Sequence, residues 1–268
     1  MEQIHFSSST IAGYAVSGIC MMLLAVILVI VWQKRTHAPL LPLIAGAVVF
    51  PVFALVLKQP LAYLLLTADN SVSRTINRNP YLMYLTGGLM AGILEETGRL
   101  IAFLLLKKKF TARETAISYG IGHGGSEAVY ISINMLSYIV MALLVNSGNI
   151  AEITKDLPPE QLPAAMEQIS QFASQSFGTS MLGVTERFSA LMLQIGLSVL
   201  VFGAVYDSRK FWLYPLAMLL HTAADFSIVL FKDQVLLTEC LLFVLGAAVL
   251  VTAVRFVYLP YREKEGSA

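Results

Sequence analysis

The sequence predicts an all-α, multi-pass transmembrane bundle of about seven spans, carrying a small helical insert on its outer face. Three observations carry that expectation. Hydrophobic residues make up 57% of the 268 and charged residues only 13%, whereas a soluble domain has roughly 25% charged residues. Mean hydropathy is +0.72, too apolar to cover a water-facing surface of this size. Finally, the apolar residues are gathered into runs long enough to cross about 30 Å of hydrocarbon at about 1.5 Å per residue.

The first run, residues 11–32, ends at Lys34-Arg35. No basic stretch precedes it and no small-x-small cleavage site follows, so it reads as a retained span. The second, residues 40–66, contains Pro42, Pro51 and Pro60 and predicts a kinked helix. Residues 67–79 are polar and read as a loop. The third run, residues 81–106, stops at Lys107-Lys108-Lys109. The fourth begins near Glu114 and stays largely apolar to Asn146; Gly120, Gly122, Gly124 and Gly125 predict a broken, tilted or tightly packed start.

Residues 147–180 form the soluble insert. After Pro158-Pro159, Leu162, Met166, Ile169, Phe172 and Phe177 recur near a 3.6 period. That spacing predicts a short amphipathic helix capping the bundle. Residues 181–206, 211–231 and 235–258 complete the seven spans. Chain organisation is therefore a single polytopic domain over 1–268.

Charge sets the expected orientation. Lys34, Arg35, Lys107, Lys108, Lys109, Arg113, Arg209, Lys210, Arg255, Arg262 and Lys264 mark one set of span ends; Lys58, Arg74, Arg78, Lys155 and Lys232 mark the other. The first set is the larger, which places it in the cytoplasm, with the N-terminus outside and the C-terminus inside a bacterial cell membrane. A net charge of +1 and the lack of basic-aromatic runs exclude a nucleic-acid partner, and no phosphate-binding loop suggests a nucleotide. Cys20 and Cys240 are far apart inside apolar runs and read as small core residues.

Against this apolar background a few groups are out of place. Glu95, Glu96 and Arg99 fall within five residues of the third run. On insertion scales each costs about 2.5–3.5 kcal/mol at the middle of a bilayer. His123 with Glu127, and His221 with Asp225, are similar misfits. Counted from the basic boundary of each span, Glu95 lies roughly 18 Å deep, His123 roughly 15 Å and His221 roughly 16 Å. Gln194 lies roughly 20 Å above Asp207. Separate helices thus deliver their costly groups to one level, as a shared site requires.

Spacing orients these groups. His123 and Glu127 are i, i+4, as are His221 and Asp225, so each pair can point at the same neighbour. Glu96 and Arg99 are i, i+3 and suit an ion pair. Glu95, about 100° round the helix, is then free for another partner. Two imidazoles and several carboxylates can hold a divalent metal or place a base beside a polarising group. The His-Glu-x-x-His helix and the Gly-x-Ser-x-Gly elbow are both absent from the sequence.

Together, Glu95-Glu96-Thr97-Gly98-Arg99, Tyr119-Gly120-Ile121-Gly122-His123 and His221-Thr222-Ala223-Ala224-Asp225 resemble the ordered motifs of the CAAX-protease and bacteriocin-processing superfamily. The run at 120–128 is most similar to its YhfC-type membrane peptidases, and the outer motifs also resemble PrsW-type proteases. The resemblance covers about 80–230. It implies an intramembrane peptidase acting on a membrane-associated protein or peptide. Glu95 would activate water, with His123 assisting. Glu96 would orient or ligate, paired with Arg99. His221 and Asp225 would polarise the scissile carbonyl. Arg99 comes one residue early, Tyr119 replaces phenylalanine, and Asp225 stands where many relatives have asparagine. An ionised Asp225 repels an oxyanion, so it must be protonated or hold a cation. The expected metal is Zn2+, ligated by His123, His221 and Glu96 or Asp225, with Glu127 and Gln194 in support. A proton- or ion-coupled transporter is the competing reading from another class, and a catalytically silent immunity or scaffold relative is a third.

Overall fold

A computed structural model describes residues 4–231 and 234–261. Lys232, Arg262 and Lys264, used above for orientation, lie outside the described residues. Among those described there is no strand. The helices are α1 (Ser8–Thr36), α2 (Leu40–Thr67), α3 (Ser71–Asn77), α4 (Pro80–Leu106), α5 (Glu114–Asn146), α6 (Ile150–Thr154), α7 (Leu162–Ala173), α8 (Phe177–Tyr206), α9 (Leu213–Leu230) and α10 (Val235–Tyr258). Of these, α1, α2, α5, α8 and α10 are long and apolar enough to cross a membrane. The other two expected spans, α4 and α9, are the helices that carry Glu95, Glu96, Arg99, His221 and Asp225. The protein is integral to a membrane.

Local chemistry sets several boundaries. At the start of α4, the Asn79 side chain accepts from the Tyr81 and Leu82 amides, and Pro80 occupies the first turn, where its missing N–H costs nothing. In the stretch expected to be a loop, Asn70 caps α3 by accepting from Ser73 N. The prolines of α2 do not end it. Pro51 opens a π-helical stretch, Pro51–Leu57, and a second runs over Tyr63–Thr67, with Lys58 between them. Widened turns of this kind re-satisfy the carbonyls that proline leaves unbonded.

The chain divides into two compact units, residues 1–24 with 128–187, and residues 25–127 with 188–268. In the first, the expected amphipathic helix is α7. Its Ile169 is buried, and Phe172 stacks on Tyr138 with ring centroids 4.4 Å apart. The expected Phe177 falls instead at the start of α8 and is 40% exposed. Asn146 closes a two-way bond with the Phe6 backbone, both at 2.8 Å.

The second unit is built round the buried part of α8, with Leu197, Val199, Val201 and Phe202 among its inaccessible side chains. Phe103, Tyr119, Ala217 and Val249 join them in one core. Two close helix approaches shape this unit. A Cβ at Gly122 would collide with the Leu43 carbonyl of α2, and one at Gly92 would lie 2.8 Å from the Met218 carbonyl of α9. Small residues let membrane helices approach to backbone contact. The glycines of α5 therefore serve tight packing; the helix is unbroken. Cys20 is half-buried, but Cys240 is exposed, so Cys240 is not a core residue: it lies on an outward face of α10.

Candidate functional site

The two approaches just described fix the site, because each glycine neighbours a costly residue. Gly122 brings His123 inward from α5, and Gly92 lets the Glu95–Arg99 turn of α4 lie against α9. Glu96, Arg99 and His123 are fully buried, and Glu95, Gln194 and His221 nearly so.

Glu95 is central. Its Oε2 lies 3.1 Å from His123 Nε2 and 3.9 Å from His221 Nε2. Glu96 faces the other way round α4, with Oε1 2.8 Å from His221 Nδ1 and Oε2 3.1 Å from Arg99 Nη1. Arg99 Nη2 donates to Gln194 Oε1, and Gln194 Nε2 donates to Glu127 Oε2 at 3.1 Å. One polar chain thus runs from His123 through Glu95, His221, Glu96, Arg99 and Gln194 to Glu127. The His123 ring is walled by Phe50, edge-on at 5.6 Å, and Tyr119, stacked at 6.0 Å. Its Nδ1 makes no hydrogen bond among the described residues.

Glu95, His123 and His221 meet directly, and Gln194 is joined to them through Arg99 and Glu96. The i, i+4 partners turn to different neighbours. His123 turns to Glu95 while Glu127 turns to Gln194. His221 turns to both glutamates, whereas Asp225 lines a separate groove with Lys58. The reason is rotational: i and i+4 differ by about 40° round a helix, enough in a tight bundle to face different neighbours.

Lys58 is the residue that sequence reasoning missed as a site group. Charge counting places it at a span boundary, yet it lies nine residues from the end of the 28-residue helix α2. A lysine so far inside an apolar helix was the available signal.

The metal expectation can be tested against donor chemistry. Among the described residues no group of three or more His, Cys, Asp or Glu side chains stands ready-formed round a metal position. Glu96 is committed to Arg99 and His221, and Asp225 belongs to the groove, so neither fits the ligand place assigned to it. Glu95 Oε2 lies within 4.0 Å of Nε2 of both imidazoles. For bonds of about 2.0–2.1 Å, tetrahedral donors sit about 3.3 Å apart. The two Glu95 separations, 3.1 and 3.9 Å, bracket that value. Two imidazoles and the Glu95 carboxylate thus suit a divalent metal in donor type.

A family model described as YhfC intramembrane metalloprotease matches residues 20–259. The chain belongs to the YhfC family. It is also 32% identical over 233 residues to a Bacillus subtilis (strain 168) protein named "Uncharacterized membrane protein YhfC", covering 86% of this chain and 88% of that one. No solved structure matches. The family match contains every site residue named above, from Lys58 to Asp225.

Proposed function

We propose that this YhfC-family protein is an intramembrane peptidase, hydrolysing a peptide bond of a membrane-associated protein or peptide. One observation carries the reading: Glu95 Oε2 faces Nε2 of both His123 and His221 inside an apolar bundle. These three atoms would hold the divalent cation that the family description implies, and zinc suits two imidazoles with a carboxylate. When bound, such a cation polarises a carbonyl and acidifies water.

The surrounding residues have distinct tasks. Glu96 Oε1, 2.8 Å from His221 Nδ1, would hold the ring so that Nε2, on the Glu95 side, is the nitrogen offered to a cation. Arg99 balances Glu96, and Gln194 holds Arg99 from α8. Asp225 lies one turn beyond His221, about 6 Å along α9. It has no hydrogen bond or ion pair within 4.0 Å among the described residues, and takes the proton of the attacking water. As the water oxygen bonds to the carbonyl carbon and the C–N bond breaks, the same carboxyl returns that proton to the leaving nitrogen. Glu95 thus changes from the base suggested by the motif to a ligand.

Comparative membrane proteomics of a strain lacking the protein, complemented with wild type, Glu95→Gln or Asp225→Asn, tests the reaction. Elemental analysis of the purified proteins tests the roles. A substrate cut by wild type and uncut in both variants is expected, with metal lost from Glu95→Gln and retained by Asp225→Asn. Ion counterflow without any cleavage would replace the peptidase by a transporter. The proposed orientation, N-terminus outside, is tested by membrane-impermeant labelling of cysteines at Ser147 and Ser208. They should report opposite sides, and equal access from one side would overturn it.

A further inference from the structure

Asp225 opens onto a groove of about 440 Å³ walled by Lys58 and Leu66 of α2, Met83, Tyr84, Gly87 and Gly88 of α4, and Ile228 of α9. We infer that this groove is the subsite that receives an apolar polypeptide segment and presents it to the Asp225 end of the site, an inference that rests on the peptidase reading above.

Three features commit the groove to that occupant. Its volume is in the range of ligand sites, about 300–1,000 Å³, and exceeds what one side chain fills. Its two charges are of opposite sign, so Lys58 and Asp225 balance and the occupant need bring no charge into the bilayer. The remaining lining is apolar or aromatic, and the groove wall includes a carboxylate one helical turn from His221. Lys58 also puts a cation on the cavity that Asp225 lines, a partner charge for that residue in an apolar setting. Widened π turns flank Lys58 on both sides; such turns recur at functional sites in helices.

Gly87 provides the handle. A Cβ there meets nothing within 4 Å, so a larger side chain enters the groove without disturbing the helix packing. Leu105, also on α4, is 75% exposed and does not line the groove. Gly87→Cys and Leu105→Cys proteins, each with Cys20 and Cys240 replaced by serine, are labelled with bimane in nanodiscs. An uncharged helical peptide of about 20 leucines and alanines, long enough to span a bilayer, carries one tryptophan at its centre as a contact quencher.

Loss of most emission at Gly87→Cys, with little change at Leu105→Cys, is expected. A Lys58→Met background should weaken the loss, because Asp225 is then unbalanced. Equal quenching at both positions would overturn the inference, since the peptide would then merely coat the protein. With brominated lipids, quenching at Gly87→Cys that the peptide does not relieve would assign the groove to an acyl chain instead. Binding is read without hydrolysis. Peptide in the groove but no substrate for the wild-type enzyme would therefore leave the subsite standing and remove the peptidase reading.

Discussion

The two compact units differ in how they hold most of their buried polar groups. In the first, apart from the Arg187–Glu186 pair, neutral side chains close on the main chain. Tyr14 donates to Phe172 O at 2.8 Å, Thr10 to Gln175 O at 2.8 Å and Ser132 to Gly18 O at 2.6 Å. Each neutral donor ends on a neutral backbone carbonyl, which has a second lone pair to offer. In the second unit, charged side chains close on one another through Glu95, His123, His221, Glu96 and Arg99, while His123 Nδ1 is left over. Polar groups that only hold a bundle together can be neutral and finish on backbone. The groups assigned to the proposed reaction are titratable, and one keeps an unbonded atom.

That contrast predicts a hierarchy of mutational costs. The largest falls on Arg99. Arg99→Met leaves Glu96 as an uncompensated buried charge, at about 3–5 kcal/mol. Thermal unfolding in detergent should show a much smaller loss for the double variant Glu96→Gln/Arg99→Met. If the double variant is as unstable as the single, the pair is not the coupled unit described here.

Next is Gly92→Val, which pushes α9 away from α4 and should cost about 1–3 kcal/mol through overpacking. It sharpens the comparison because the loss of activity should exceed the loss of stability: the separation of Glu96 from His221 grows with the helix spacing. A stable variant of normal activity would show that the close approach is not needed for the site.

Tyr14→Phe is the mildest of the three. Removing one hydroxyl bond in the first unit costs about 1 kcal/mol, with full metal content and full cleavage retained. A cleavage defect in otherwise well-folded Tyr14→Phe would erase the distinction between the two units.

Sequence alone went a long way here, because membrane solvation imposes a simple rule. Hydrocarbon penalises every ionised group, so Glu95, Glu96, Arg99, His123, His221 and Asp225 are conspicuous on α4, α5 and α9 in composition alone. Rise per residue then sets their depth within each helix. Helix identity and length followed from apolar runs, and the bounds expected for α5 and α10 match those observed. The motifs of the family were legible for the same reason, being the few polar letters in an apolar text.

Direction of facing was left to the tertiary structure. Helical period tells which residues share a face, but not which neighbour that face meets, nor how closely. Backbone contacts at Gly122 and Gly92 bring α2 to α5 and α4 to α9, and thereby decide that Glu95 rather than Glu96 lies between the two imidazole Nε2 atoms. The same packing sends Asp225 to Lys58, some 167 residues away in the chain. No local pattern encodes that shared groove. It follows from which helices become neighbours, a property of the whole bundle.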